Sequence, residues 1–136
     1  MRKNRTRTLL FRIAMLLYIA TVAYLCFANF DKINHVPRSL FGIPMDKIVH
    51  FCMFFPFPIL GFYAYDKYTE TPWQALAAVV SVCAFGGIFA GLTELVQGTL
   101  SYRSQDIRDF RADCIAIGIS ALLVFLYDLY KMKKRP

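Results

Sequence analysis

The chain has 136 residues, of which 57% are hydrophobic and 18% charged, with a formal net charge of +7 and a mean hydropathy of +0.44. A soluble domain of this size carries about 25% charged residues and is about half apolar, so the composition argues against one. The positive charge does not indicate a nucleic-acid partner: much of it lies in two tails, MRKNRTR and KMKKR, that flank apolar blocks and leave no polar surface to hold a duplex.

The apolar residues come in blocks of about 20, the length that crosses a bilayer core of roughly 30 Å. They predict an all-α, integral membrane four-helix bundle in which residues 1–136 form one transmembrane domain. The first helix is expected over about 9–30. Its apolar run exceeds the 7–15 residues typical of a signal-peptide core, so it reads as a retained helix. YLC at 24–26 lacks the small residues that a lipoprotein cleavage site needs before Cys26. The second is expected over about 46–65, kinked by Pro56 and Pro58 in CMFFPFPILG, because proline removes a ladder hydrogen bond.

The third is expected over about 73–95. It carries Gly87 and Gly91 at GxxxG spacing, which lets helix backbones approach closely, either inside the bundle or in a homo-oligomer. The fourth is expected over about 109–130. Both ends of the chain are basic, and four spans put both on one side. Ten of the sixteen basic residues (the two tails, Arg12 and Lys67) then fall inside, against Lys32, Arg38, Lys47, Arg103, Arg108 and Arg111 outside. This bias predicts an N-in, C-in protein with both termini cytoplasmic and the bilayer as its first partner.

Cys26, Cys52, Cys83 and Cys114 form no CxxC pair and lie in or beside apolar blocks, as membrane-embedded thiols do. No HExxH or paired-histidine spacing is present, so no metal and no cofactor are expected. Ser101 and Ser104 lie near the charged residues but in no GxSxG elbow.

The charged residues that remain gather at one level. At a rise of about 1.5 Å per residue, Trp73 to Glu94 and Asp109 to Tyr130 each cover roughly 31 Å, and Asp46 to Tyr65 roughly 28 Å. Glu94, Asp46 and Asp109 therefore sit at the same membrane boundary, with His50 and Asp113 one turn deeper. Asp46 and His50 share a helix face, as do Glu94 and Gln97, while Asp106, Asp109 and Asp113 form one stripe. Arg108 and Arg111 are displaced from it. Asp106, Arg108 and Arg111 also fit a solvated loop, whereas His50, Glu94 and Asp113 sit among apolar neighbours, where ionisable groups mark a bundle interior or polar cavity.

DKIVHF at 46–51, TELVQ at 93–97 and RSQDIRD at 103–109, in this order, resemble the VanZ-like family over about residues 46–120. The resemblance implies a small polytopic protein of the bacterial cytoplasmic (inner) membrane, related to a protein associated with teicoplanin (glycopeptide antibiotic) resistance. Asp46, Lys47, His50, Glu94, Gln97, Arg103, Asp106 and Asp109 fall on the family's polar motif positions. The chain has Ser101 and Tyr102 where the family often has Pro-Gly. It has Asp113 where the family often has asparagine, which adds a negative charge.

Three classes of function follow. In the first, an outer polar cavity binds or processes an anionic envelope ligand, lipid-linked or a cell-wall precursor. There Arg103 and Lys47 hold the anion, His50 and Glu94 form the proton-transfer pair, and Asp46, Gln97, Asp106, Asp109 and Asp113 complete the binding set. In the second, a membrane enzyme acts on a lipid-linked substrate with His50 as base. In the third, the charges form a structural or partner-binding network without catalysis.

Overall fold

A computed structural model describes residues 5–28, 39–64, 69–103 and 105–134. In chain order these form α1 (Arg5–Phe27), a two-stranded hairpin of β1 (Ser39–Leu40) and β2 (Ile43–Pro44), α2 (Met45–Phe54), α3 (Pro56–Ala64), α4 (Pro72–Gln97) and α5 (Ile107–Lys133). The predicted helix ends at Phe30 and Tyr65, with Lys32, Arg38, Lys67, Ser104 and Arg135, lie outside the described residues.

Four helical segments are long and apolar enough to cross a membrane: Thr6–Phe27, Met45–Ala64, Pro72–Gln97 and Ile107–Lys133. The second joins α2 to α3. Pro56 and Pro58 interrupt its ladder at Phe55, whose backbone stays helical (φ −58°, ψ −40°) and whose N–H still reaches the Phe51 carbonyl at 3.0 Å. The span accordingly divides into two helices at the expected prolines. The Tyr18 hydroxyl donates to the Met53 carbonyl within this interrupted turn, as broken helices in apolar surroundings require.

Helix ends extend past the apolar blocks because polar residues continue the backbone ladder where hydropathy no longer marks it. Helix α4 starts at a Thr71 cap, whose hydroxyl accepts from the Gln74 N–H at 3.3 Å with Pro72 next in line, and runs to Gln97. Helix α5 starts two residues earlier than expected. The Asp106 carboxylate caps it by accepting from the Arg108 N–H at 2.8 Å, and Lys131 and Lys133 suit the negative end of its dipole.

The spans alternate in direction. Helices α2, α4 and α5 form the tightest part, and their buried positions recur every three or four residues: Ala75, Ala78, Val79, Val82, Gly86 and Ala90 on α4 face Ala116, Ile117, Ser120, Ala121 and Val124 on α5. Small residues suit this seam because lipid offers no hydrophobic drive between helices, which leaves close backbone packing to hold them. Phe54 and Ala90, both at 0% exposure, centre the main core with Val22, Cys26, Ala116 and Ile117. Outside it, Phe85, Ile88, Leu122 and Leu126 are all more than half exposed. Large apolar side chains point out and ionisable ones in, the arrangement that suits a bilayer.

Gly87 and Gly91 do not make the tightest approach. A Cβ at Gly87 would meet nothing within 4 Å, and one at Gly91 would make ordinary contact with Phe110 at 3.7 Å. Their neighbour Gly86 is the crowded position: a Cβ there would lie 3.0 Å from the Phe57 ring and 3.1 Å from Ile117. The GxxxG spacing holds, but rotation about α4 turns Gly87 away from the bundle. Gly86→Ala is therefore expected to cost about 1–3 kcal/mol through overpacking. Gly87→Ala should change stability by less than about 0.5 kcal/mol. Unfolding in mixed detergent micelles measures both.

The hairpin was not anticipated in the 31–45 loop. Its turn needs positive φ at Phe41 (51°) and Gly42 (79°), and FG is a weaker signal for such a turn than Asn-Gly.

Candidate functional site

The start of α2, the end of α4 and the start of α5 meet at one end of the bundle. The Lys47 ammonium lies 2.7 Å from Asp46 Oδ2, 2.7 Å from Asp106 Oδ2 and 2.5 Å from Asp109 Oδ1. One cation thus ties α2 to both the cap and the first turn of α5. Asp46 is the most exposed of the three, Asp106 is partly exposed and Asp109 is the most buried. The hydrogen bond from Lys47 to Asp106, helped by the Arg108 N–H, holds the Asp106 carboxyl below the usual value of 3.8.

One turn deeper, His50 is buried against three carboxylates. Its Nδ1 lies 3.1 Å from Asp113 Oδ1 and 3.9 Å from Glu94 Oε1, and its Nε2 lies 3.9 Å from Asp109 Oδ2. An ionised carboxylate can only accept, so the network assigns the proton to Nδ1, donated to Asp113. Nε2 is then left facing Asp109. Glu94 accepts the Asp106 N–H at 3.2 Å through Oε2, which fixes the cap of α5 to the end of α4. Its other oxygen, Oε1, is buried without a hydrogen-bond partner among the described residues.

Asp46, Lys47, His50, Glu94, Asp106, Asp109 and Asp113 therefore come together, as the depth and spacing of their helices led one to expect. Two predicted site residues are at the same end but serve α1. Gln97 Nε2 donates to the Cys26 carbonyl at 2.9 Å, and Arg103 Nη2 lies 3.5 Å from the carbonyls of Leu25 and Ala28. Tyr102 donates to the Phe27 carbonyl at 2.7 Å, so three side chains satisfy the last turn of α1. Arg108 and Arg111 are exposed. Lys47, which the sequence suggests as an anion holder, is itself surrounded by carboxylates.

The pairing of His50 with Asp113 rather than Glu94 follows from rotation about α5, which spacing along one helix does not report. The sequence also passed over Asp128. It is buried at the opposite end of α5 and accepts from the Thr69 hydroxyl, which anchors the start of the α4 segment. Its one signal is an aspartate inside an otherwise apolar run.

A cleft of about 230 Å³ adjoins the cluster, lined by Gly91, Glu94, Leu95, Gln105, Asp106, Ile107 and Phe110. Its lining combines the carboxylates of Glu94 and Asp106 and the amide of Gln105 with apolar Leu95, Ile107 and Phe110. A larger apolar groove of about 420 Å³ lies between α1, α3 and α4, away from these charges, and contains no ionisable residue.

No protein-family model matches the chain, and no solved structure matches it. Over 90 residues the chain is 31% identical to "Uncharacterized protein C11E3.10" of the fission yeast Schizosaccharomyces pombe, a match covering 65% of this chain and 52% of that protein. The chain thus spans about half the length of this relative.

Proposed function

We propose that the chain is a VanZ-like membrane protein of the bacterial cytoplasmic membrane. In this reading both termini are cytoplasmic, and the polar end of its bundle binds or processes the anionic headgroup of a lipid-linked envelope ligand. A link to teicoplanin resistance is part of the same reading and rests on the residues shared with that family. One observation carries the proposal: seven ionisable side chains from three membrane-length helices and a loop converge beside a cleft whose lining mixes carboxylates with apolar side chains. Such a cleft suits a molecule with a charged head and an acyl tail.

Arg103 is the anion-binding residue in this reading. Among the described residues only one of its terminal nitrogens is engaged, at the long distance of 3.5 Å, and a guanidinium has five N–H donors suited to a bidentate phosphate contact. Arg108 and Arg111 add positive charge to the rim. Undecaprenyl phosphate should raise the melting temperature of purified protein in detergent. Arg103→Ala should abolish most of that rise, and Arg103→Lys should restore part of it. An equal rise in wild type and Arg103→Ala would sink the proposal.

A second reading, that of an enzyme, is favoured by the His50–Asp113 contact. A buried carboxylate on Nδ1 orients the ring and leaves Nε2 as a general base. Gly87 faces open space, so a homo-oligomer through α4 would use Gly87 rather than Gly91.

A further inference from the structure

The polar end has a marked imbalance of charge. Asp46, Asp106, Asp109, Asp113 and Glu94 contribute five carboxylates, against the Lys47 ammonium and His50. The carboxylates form two overlapping triads. Asp46, Asp106 and Asp109 bring oxygens within 4.8 Å of one another, and Lys47 lies among them. His50, Glu94 and Asp109 form the second, in which a ring nitrogen and two carboxylate oxygens lie within 4.8 Å of one another and all three residues are buried.

We infer that His50, Glu94 and Asp109 form a binding site for a divalent transition-metal ion of the Mn²⁺ or Zn²⁺ type. The independent sign is Glu94 Oε1. Its side chain is 4% exposed, the oxygen has no hydrogen-bond partner among the described residues, and it lies 3.9 Å from His50 Nδ1, on the imidazole whose other nitrogen faces Asp109. A buried carboxylate oxygen left unpaired is costly, and a cation that it shares with His50 Nε2 and Asp109 removes that cost.

The geometry suits such an ion. Donors about 2.1 Å from a metal sit roughly 3–4 Å from each other. His50 Nε2 and Asp109 Oδ2 are 3.9 Å apart, so small side-chain movements close the site. One imidazole and two carboxylates favour Mn²⁺ or Zn²⁺ over Ca²⁺ or Mg²⁺, and three protein ligands leave a position open. The second shell is also present: Asp113 accepts from Nδ1 at 3.1 Å, which presents Nε2 to the metal. The ligands come from three different helices, which is why no sequence motif announced them.

The inference rests on the same reading of this cluster as a ligand site, and it supplies what an anionic headgroup would need there. A dication offsets the excess carboxylates and leaves a coordination position for a phosphate oxygen.

The test uses the full chain in detergent, stripped with EDTA and titrated with Mn²⁺. Saturable binding of one ion per chain is expected, with ¹⁴N coupling from His50 in pulsed electron paramagnetic resonance. Glu94→Gln should weaken binding at least tenfold and His50→Gln should abolish the nitrogen signal. Asp113→Asn should weaken binding by about 10–100-fold, as loss of a second-shell partner does. Asp128→Asn, a buried carboxylate at the far end, should bind like wild type. Absence of saturable binding, or wild-type affinity in Glu94→Gln, overturns the inference. Glu94→Gln removes an unpaired buried charge, so it should fold at least as well as wild type in EDTA. Undecaprenyl phosphate that stabilises metal-free protein incapable of binding Mn²⁺ would sink the metal site and leave the ligand reading standing. Mn²⁺ binding with no response to the phosphate in its presence would do the reverse.

Discussion

Lys47→Met is expected to lower the stability of the bundle by about 2–3 kcal/mol in mixed-micelle unfolding, somewhat less than the roughly 3–5 kcal/mol seen when a fully buried pair loses one partner. Lys47 is the ammonium between α2 and the start of α5, and methionine keeps its length while removing its charge. Most of the loss comes from Asp109, whose side chain is 12% exposed and lies 2.5 Å from the ammonium. Asp46 and Asp106 are more exposed and can turn to solvent. Adding Asp109→Asn to Lys47→Met should recover part of the loss, because the uncompensated charge is then gone.

The pH dependence has a definite sign. Asp106 has a lowered folded value, so its contribution is fully present above its unfolded value near 3.8 and is lost as pH falls through the lower folded one. The share of the gap between wild type and Lys47→Met that Asp106 carries should therefore be full at neutral pH and shrink only in acid below that unfolded value. A gap that stayed constant down to that range would mean that the methionine acts through packing instead.

Replacing His50 with alanine should cost about 2–3 kcal/mol, because it leaves Asp113, at 0% exposure, without its hydrogen-bond partner. Interhelical hydrogen bonds in membrane proteins average about 0.6 kcal/mol and reach about 1.7. The His50–Asp113 contact is fully buried and charge-assisted, so a double-mutant cycle with Asp113→Ala should return a coupling near the upper figure. A coupling indistinguishable from zero would show that the two residues are neighbours without being partners. The same variant separates the functional readings. Turnover of a labelled lipid-linked envelope substrate by wild type, lost in folded His50→Ala, supports the enzyme. Loss of stability with unchanged ligand response supports a structural network.

Much of this molecule is legible along the chain because a bilayer imposes a simple rule. Each span must satisfy its own backbone and be apolar over about 20 residues, so the four spans stand out as blocks, and Pro56 and Pro58 mark the break between α2 and α3. A rise of about 1.5 Å per residue then sets depth, which is why the chain alone puts Asp46, Glu94 and Asp109 at one boundary and His50 and Asp113 one turn deeper.

Depth and spacing do not report how each helix is rotated against its neighbours. Only the packed bundle turns Gly86 rather than Gly87 into the seam, pairs His50 with Asp113, and directs Gln97 and Arg103 to the end of α1. Tertiary structure also decides which charges are compensated. On the chain, Lys47 and the aspartates read as an anion holder and its surroundings. In the fold, three of those aspartates converge on Lys47, while Glu94 is left with one oxygen unpaired beside His50. Sequence thus determined which residues reach the polar end. Helix rotation, a property of side-chain packing across the bundle, decided which of them meet.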